Sequence, residues 1–259
     1  MLIKSNSKTH DYTTDSSFLY GFGLYETFRT YKNKLVFLEK HYNRLVHSLK
    51  TLNLPIPVTY DRFYKICDKF NKNTAGTNLR FRLTISFNEK LKPHLTLRVR
   101  KLIIPSEHEY ETGVNIQTAT LIRPQAEHKH TSMFEQMQLW RTQPKNTYEF
   151  LIGSDNQLFE GTKTNFFAVK NNVLIQPTGP QLPGIMQNIV LELANKNDIE
   201  VQKAEINPQN LADFDELFLT NSIIGILPIE SINNIALGNK HKLTKKLQQL
   251  LQEEIKRLS

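Results

Sequence analysis

Cysteine, long apolar runs and internal repeats are scarce or missing in this sequence of 259 residues. Its single cysteine, Cys67, excludes an intramolecular disulfide and agrees with a reducing compartment. No apolar run approaches the ~18 residues that a membrane span needs, and residues 1–10 lack the apolar core of a secretory signal. No repeat of ~20–50 residues is present, which excludes solenoids and propellers. We therefore expect a soluble cytoplasmic protein that does not engage a membrane.

Several familiar catalytic motifs are also missing. His128 and His130 are the only closely spaced histidines, and no His-Glu-x-x-His or Cys-x-x-Cys pattern accompanies them, so no metal site is expected. Gly21 and Gly23 begin like a dinucleotide-binding loop, but the third glycine is absent and a strand pattern follows instead of a helix. The sequence contains neither a Gly-x-Ser-x-Gly nucleophile elbow nor a Walker loop.

The balance of charge is basic, and the composition is that of a folded protein. Lys and Arg number 33 against 25 Asp and Glu, a formal net charge of +8. These basic residues are scattered and no groove-binding motif accompanies them, so a small anionic ligand is favoured over nucleic acid. A hydrophobic content of 39% suffices for the core of one large or two medium domains and excludes general disorder.

The first part of the chain predicts a smaller α/β lobe over residues 1–104. Apolar and aromatic runs at Leu24–Thr30 and Leu35–Leu38 predict a hairpin. Helical spacing of apolar residues then predicts a helix over Glu39–Leu52 and a second one through Phe63–Phe70, closed by Asn73–Gly76.

The clearest strand pattern is Leu79–Phe87, in which apolar and polar residues alternate throughout. Leu95–Val99 alternates in the same way and predicts the partner strand of a hairpin. One face of this hairpin carries four arginines, at positions 80, 82, 98 and 100. They line an anion site or form a solvated outer face, and the pattern alone leaves both interpretations open.

Residues 105–112 are polar and are predicted to link this lobe to a larger C-terminal lobe over 113–259. The strands predicted there are Glu149–Ile152, Asn165–Val169, Val173–Gln176, Glu200–Ile206, Leu217–Thr220 and Ile229–Ile232. Helices are predicted near Ser132–Arg141, after Gly184, and in the C-terminal stretch from Leu243 to Leu258. The fold class is therefore α/β, with two lobes.

Four local patterns place polar groups where ligand chemistry is possible. Glu160 lies between an aromatic residue and a glycine ahead of an apolar strand, where a carboxylate has to be paired or exposed. Gly184 opens a helix whose first amides are suited to a phosphate, although ordinary capping gives the same pattern. Ser222 follows a strand that ends in hydroxyls, and Arg44 lies beside the apolar stripe of the first helix.

Taken together and in order, six segments resemble the class IV (fold type IV) pyridoxal-phosphate enzymes. The segments are Gly23-Leu24-Tyr25-Glu26-Thr27, His41…Arg44-Leu45, Lys129-His130, Glu160-Gly161…Thr164-Asn165, Leu182-Pro183-Gly184-Ile185 and Phe218-Leu219-Thr220-Asn221-Ser222. This family includes branched-chain aminotransferases, D-amino-acid aminotransferases and aminodeoxychorismate lyases. The resemblance implies a pyridoxal 5'-phosphate cofactor, a homodimer, and a C-terminal cofactor-binding lobe with a mostly antiparallel or mixed, barrel-like sheet.

The resemblance also implies roles for individual residues. Lys129 would bind the cofactor aldehyde covalently and act as the proton-transfer base, while Glu160 would keep the pyridine nitrogen protonated. Lys145 and Lys163 lie nearer to Glu160 in sequence, but neither has a matching context. The phosphate would be held by Arg44, the amides of Ile185 and Met186, and Ser222, and Leu182 would press on a ring face. Motif position alone suggests Tyr25, Thr27 and Asn165 as substrate contacts.

The run Lys129-His130…Glu135-Gln136 looks like that of aminodeoxychorismate lyases. Such an enzyme converts 4-amino-4-deoxychorismate, a small anionic amine, to 4-aminobenzoate and pyruvate in folate biosynthesis. The alternative is an aminotransferase acting on D-amino acids or branched-chain amino acids.

Three positions depart from the family pattern: Phe22 replaces an acid, Phe87-Asn88 replaces an arginine-glycine pair, and Met186-Gln187 replaces threonine-arginine. The second change affects the usual substrate-carboxylate site. Lys92 and His94 occupy the positions where D-amino-acid aminotransferases bind that carboxylate.

Overall fold

The chain divides into two units, each with its own sheet and hydrophobic core. The structure, a computed structural model, describes residues 2–5, 14–72, 78–238 and 241–258. Unit 1 comprises Met1–Ile103, His128–Met133 and Arg257–Ser259, and unit 2 comprises Ile104–Glu127 and Phe134–Lys256. Unit 1 therefore includes a short segment around Lys129 whose sequence neighbours belong to unit 2.

Unit 1 combines an antiparallel sheet with two amphipathic helices. Its elements are β1 (Leu2–Ser5), α1 (Ser16–Tyr20), β2 (Gly23–Arg29), α2 (Leu38–Thr51), α3 (Tyr60–Lys72), β3 (Leu79–Phe87) and β4 (Pro93–Lys101). The strand order is β1-β4-β3-β2, which leaves β2 at an edge. The segment around Lys129 pairs with that edge, because the Tyr25 amide donates to the Lys129 carbonyl at 2.9 Å and the Thr131 amide donates to the Gly23 carbonyl at 2.8 Å.

The core of unit 1 confirms the predicted alternation of β3 and both predicted helices. Phe28 of β2 stacks on Phe81 of β3 at 5.2 Å and meets Phe63 of α3 edge-on at 5.7 Å between ring centroids. Cys67 is fully buried on the apolar side of α3, as predicted. The predicted closure of this helix at Asn73–Gly76 lies outside the described residues.

The strand predicted over Leu35–Leu38 is wrong. Tyr31 and Lys34 form a tight turn, but Phe37 then adopts a left-handed φ of 62° and α2 begins at Leu38. The apolar side chains of this run pack into the core at the entry to the helix, so their burial does not require a strand. The antiparallel partner of β2 is β3.

Unit 2 is built on a larger mixed sheet. Its elements are α4 (Glu107–Thr112), β5 (Val114–Thr120), α5 (Phe134–Arg141), β6 (Glu149–Gly153), β7 (Leu158–Gly161), β8 (Asn165–Lys170), β9 (Val173–Pro177), α6 (Ile185–Lys196), β10 (Val201–Ala204), β11 (Glu216–Asn221), β12 (Gly225–Ile232), β13 (Ile235–Ala236) and α7 (Lys242–Leu258), with a 3₁₀ helix at Pro208–Asp213. The order is β10-β9-β8-β11-β12-β5-β6-β7, with β13 on β12, and the pairs β10/β9, β12/β5 and β5/β6 are parallel.

Most predicted elements of the larger lobe are present, and the predicted α/β class is confirmed. Asn171 and Asn172 adopt φ of 50° and 65° in the predicted turn between β8 and β9. The segment predicted as a linker contains α4, whose first turn is capped reciprocally by Ser106 and Glu109. β5 and β7 were not predicted from the sequence, because β7 has only four residues and β5 loses its apolar alternation after Ile116. In the described ranges, no helix is long and apolar enough to cross a membrane.

Candidate active site

Lys129 lies on the edge of the unit 1 sheet, next to an aromatic ring that it shares with an arginine. Its Nζ is 4.7 Å from the centroid of the Tyr25 ring, and the Arg82 guanidinium carbon is 3.6 Å from the same centroid. Lys129 is half-buried, and no carboxylate of the described residues forms an ion pair with it. The amine is therefore not committed to a salt bridge and remains available for covalent or proton-transfer chemistry.

Arg44 reaches inward from α2 and meets a buried carboxylate. Its Nε and Nη2 donate to the two oxygens of Glu26 at 2.8 and 2.7 Å, and Nδ1 of His41 lies 2.7 Å from Glu26 Oε2. Burial would raise the pKa of Glu26, but the Arg44 charge and the hydrogen bonds of His41 and Arg44 outweigh burial and lower it to about 2. Burial lowers the pKa of His41 against the opposing effect of Glu26. The phosphate role of Arg44 remains a prediction.

Glu160 lies in β7 of unit 2 with both carboxylate oxygens engaged. Oε1 accepts from Arg123 Nε at 2.9 Å, and Oε2 accepts from the Leu182 amide at 2.9 Å. The Glu160 side chain is 5% exposed and that of Arg123 is 11% exposed, so this is a largely desolvated charge pair. A buried carboxylate with a guanidinium behind it is suited to holding a proton on a cationic ring nitrogen.

The Leu182 backbone joins three segments that are separate in the sequence. Its amide donates to Glu160, and its carbonyl accepts from Asn165 Nδ2 at 2.8 Å. Gly184 follows directly, and a Cβ added there would collide with Asn165 Oδ1, so only glycine fits this close approach. The structure thus brings together Glu160, Asn165 and the start of α6.

The start of α6 has the donor set that an anionic phosphate requires. Its first turn contains no acidic residue, and the amides of Ile185 and Met186 have no intrahelical acceptor because they belong to that turn. Nearby, Thr220 pairs in register with Asn165, and its buried Oγ1 has no hydrogen-bond partner among the described residues. Ser222 lies just beyond it. Backbone amides and hydroxyls beside the Glu160 carboxylate fit a phosphate joined to a protonatable ring.

A second buried carboxylate organises the turn after Glu160. Glu149 accepts from the Lys163 amide and from Thr162 Oγ1, the latter at 3.2 Å. Burial raises the pKa of Glu149 to about 7, and these hydrogen bonds oppose the shift. A Cβ at Gly161 would lie 2.7 Å from Glu149 Oε1, which explains the glycine of the Glu160-Gly161 pair.

The predicted substrate contacts lie at different places. Tyr25 is buried beneath Lys129 and Arg82, Thr27 lies opposite Arg82 on the same face of the sheet, and Asn165 holds the Leu182 loop. In the ranges that the structure covers, no cluster of His, Cys, Asp or Glu is arranged to bind a metal ion.

Three residues with contacts at these sites were not predicted from the sequence: Glu26, Arg123 and Glu149. Glu26 had a detectable signal, because it shares the apolar face of its strand with Leu24 and Phe28 and an acid there requires a partner. Arg123 lies in an irregular loop without periodicity, so no local pattern indicates its contact with Glu160.

The chain is similar to known proteins along most of its length. A sequence profile of the family Amino-transferase class IV matches residues 23–232. The chain is 30% identical over 222 residues to a probable branched-chain-amino-acid aminotransferase of Thermotoga maritima, covering 81% of this chain and 77% of that protein. It is 28% identical over 271 residues to the aminodeoxychorismate lyase of Bacillus subtilis, covering 94% and 89%. A crystal structure of 4-amino-4-deoxychorismate lyase from Pseudomonas aeruginosa matches with a TM-score of 0.85 at 21% identity, covering 98% of this chain and 99% of that one.

The profile spans most of the chain, from Gly23 at the start of β2 to Ile232 at the end of β12. It includes the segments of Arg44, Lys129, Glu160 and Ser222. The chain therefore belongs to the class IV aminotransferase family of pyridoxal-phosphate-dependent enzymes.

Proposed function

We propose that this enzyme is an aminodeoxychorismate lyase. It would split 4-amino-4-deoxychorismate into 4-aminobenzoate and pyruvate, with one proton leaving the amine-bearing ring carbon and one proton added to the departing enolpyruvyl group. The observation that carries this choice is the run Lys129-His130…Glu135-Gln136, which resembles the corresponding run of some aminodeoxychorismate lyases. The full-length similarity to the Bacillus subtilis lyase supports it.

Lys129 is the residue to which we assign cofactor attachment and proton transfer. Its Nζ would hold the cofactor and later accept the proton from the substrate ring carbon. This assignment is supported by the absence of a carboxylate partner among the described residues and by the backbone pairing with β2, which holds the segment in place.

The remaining cofactor contacts are assigned by donor and acceptor chemistry. When bound, pyridoxal phosphate supplies a protonated ring that withdraws electrons from the substrate. Glu160 would keep the proton on the ring nitrogen, and Arg123 would hold the Glu160 carboxylate in place through its hydrogen bond. The amides of Ile185 and Met186, with Ser222 and Arg44, would bind the phosphate, and Leu182 would contact the ring.

One assay tests the lyase proposal. Purified holoenzyme receives aminodeoxychorismate without any keto acid, and 4-aminobenzoate and pyruvate are measured together. The lyase predicts equimolar formation of both, loss of both in Lys129→Ala, and no change in Lys145→Ala, whose lysine is exposed. Absence of both products from a protein that retains its cofactor would refute the proposal.

An aminotransferase is the second candidate, favoured by the 30% identity to the Thermotoga maritima protein. It would require a keto-acid acceptor and act on D-amino acids or branched-chain amino acids. Screening both classes of amino acid with 2-oxoglutarate and pyruvate, and following amino-acid consumption, separates it from the lyase. We also propose a homodimer in solution, which light scattering of the purified enzyme tests.

A further inference from the structure

The polar face of the unit 1 sheet carries a ladder of arginines. Arg82 and Arg98 lie directly opposite each other on β3 and β4, and Arg80 and Arg100 form the next polar-face pair along the same strands. The apolar side chains between them face α2 and α3, so all four guanidinium groups belong to the other face. Arg82 and Arg98 are half-buried, whereas Arg80 and Arg100 are exposed.

The like charges of this ladder are unfavourable for one another. Like charges directly opposite on neighbouring strands repel, and partial desolvation together with the charges of Arg82 and Arg100 lowers the pKa of Arg80. No carboxylate among the described residues pairs with Arg80, Arg82 or Arg100. An anionic ligand would relieve this repulsion.

The half-buried end of the ladder adjoins Lys129. The Arg82 guanidinium and Lys129 Nζ both lie over the Tyr25 ring, at 3.6 and 4.7 Å from its centroid. A ligand that reacts at Lys129 is therefore near Arg82, and Arg98 lies opposite Arg82 in the strand register. Guanidinium groups bind carboxylates through paired, charge-assisted hydrogen bonds.

We propose that Arg82 and Arg98 bind the carboxylates of a dianionic substrate and so select dicarboxylates over monocarboxylates. The inference rests on the proposed function, since it names the groups that would recognise the anionic parts of the lyase substrate. It also provides a carboxylate site in a chain that has Phe87-Asn88 where the family has an arginine-glycine pair.

Calorimetric titration of the holoenzyme with chorismate tests this inference without turnover. Chorismate has the two carboxylates of the lyase substrate, but a hydroxyl replaces the amine. Wild type should bind it at least tenfold more tightly than the monocarboxylate 4-hydroxybenzoate. Arg82→Gln and Arg98→Gln should each weaken chorismate binding about 10- to 100-fold, the range for one lost charged contact.

Arg62→Gln is the matched control, because it removes one charge from an exposed position on α3, which packs on the opposite face of the sheet. It should change chorismate affinity less than twofold. Arg82→Lys keeps the charge but not the paired N–H donors of the guanidinium, so it should bind chorismate more tightly than Arg82→Gln and less tightly than wild type. Equal chorismate affinity in wild type and Arg82→Gln would overturn the inference, and so would equal affinity of wild type for chorismate and 4-hydroxybenzoate.

The two proposals fail separately. If Arg82→Gln loses chorismate binding but the wild-type enzyme forms no 4-aminobenzoate, the proposed carboxylate site is supported and the lyase proposal fails. If 4-aminobenzoate forms at wild-type rate and KM in Arg82→Gln, the lyase stands and the carboxylate site fails.

Discussion

Replacing Arg44 with methionine would leave a buried carboxylate without its strongest partner. Glu26 has a side-chain exposure of 2%, and both of its oxygens accept from the Arg44 guanidinium. Methionine keeps most of the side-chain volume but removes the charge and both hydrogen bonds. The variant therefore tests whether this pair is required to fasten α2 to β2.

Two routes give the expected loss of stability. Breaking a buried ion pair from one side typically costs about 3–5 kcal/mol, because the remaining charge stays desolvated. Independently, the pKa of Glu26 falls from an ordinary 4.5 to about 2, and at ~1.4 kcal/mol per pH unit this is worth roughly 3 kcal/mol. Both routes therefore predict that Arg44→Met lowers the free energy of unfolding by about 3 kcal/mol at neutral pH.

The pH dependence follows from the direction of the shift. A carboxyl whose pKa is lowered on folding stabilises the folded state above its unfolded pKa. That contribution is present at pH 5 and above and is lost as the pH falls from about 4.5 towards 2. In Arg44→Met the free energy of unfolding should depend less on pH in this acidic range, because without Arg44 the pKa of Glu26 in the folded state is lowered less.

Urea unfolding of the cofactor-free enzyme measures the effect without a contribution from ligand binding. The double variant Glu26→Gln/Arg44→Met should recover much of the stability lost in Arg44→Met, since no buried charge remains. Arg62→Met, on the exposed side of α3, should change stability by no more than about 0.5 kcal/mol. A loss below 1 kcal/mol in Arg44→Met, or an equally unstable double variant, would refute the reasoning.

Three further predictions concern the turn around Glu160. Burial raises the pKa of Glu149 to about 7, so protonated Glu149 contributes its full stability below about pH 4.5. Roughly 3 kcal/mol of that stability is lost as the pH rises to 7. Glu149→Gln should therefore lose this fall in the free energy of unfolding in urea titrations between pH 5 and 8. Gly161→Ala should cost about 1–3 kcal/mol, because its Cβ would lie 2.7 Å from Glu149 Oε1, and thermal unfolding of this variant would show no shift if the turn relaxes freely. Arg123→Leu should weaken cofactor retention at least tenfold in equilibrium dialysis, since the buried Glu160 carboxylate then loses its charged partner and one hydrogen bond. Unchanged retention would count against this role of Arg123.

The elements with strong periodicity were predictable from sequence. β3 alternates over nine residues, and α2 and α3 show apolar stripes at helical spacing, so burial of one face decides the structure in each case. The run at Leu35–Leu38 was too short for its periodicity to distinguish a strand from the start of a helix. Its apolar side chains are buried by the entry to a helix as well as they would be by a strand.

The candidate site was predictable as a set of segments but not as a set of contacts. The link from Leu182 to Glu160 uses a backbone amide, which every non-proline residue has, so no residue type indicates it. The link from Arg123 to Glu160 joins positions 37 residues apart, and it depends on how β7 and the Arg123 loop meet. Such pairings arise from the packing of distant segments and leave no local signature.

The edge pairing of the Lys129 segment bears on how the chain folds during synthesis. β2 emerges from the ribosome early, but the residues that cover its edge follow about 108 positions later. Until then the nascent chain exposes a row of unpaired amides and carbonyls, which is a template for pairing with other chains. A fragment that ends at residue 103 would leave the β2 edge unpaired permanently. A fragment that extends past Thr131 would include the segment that pairs with this edge.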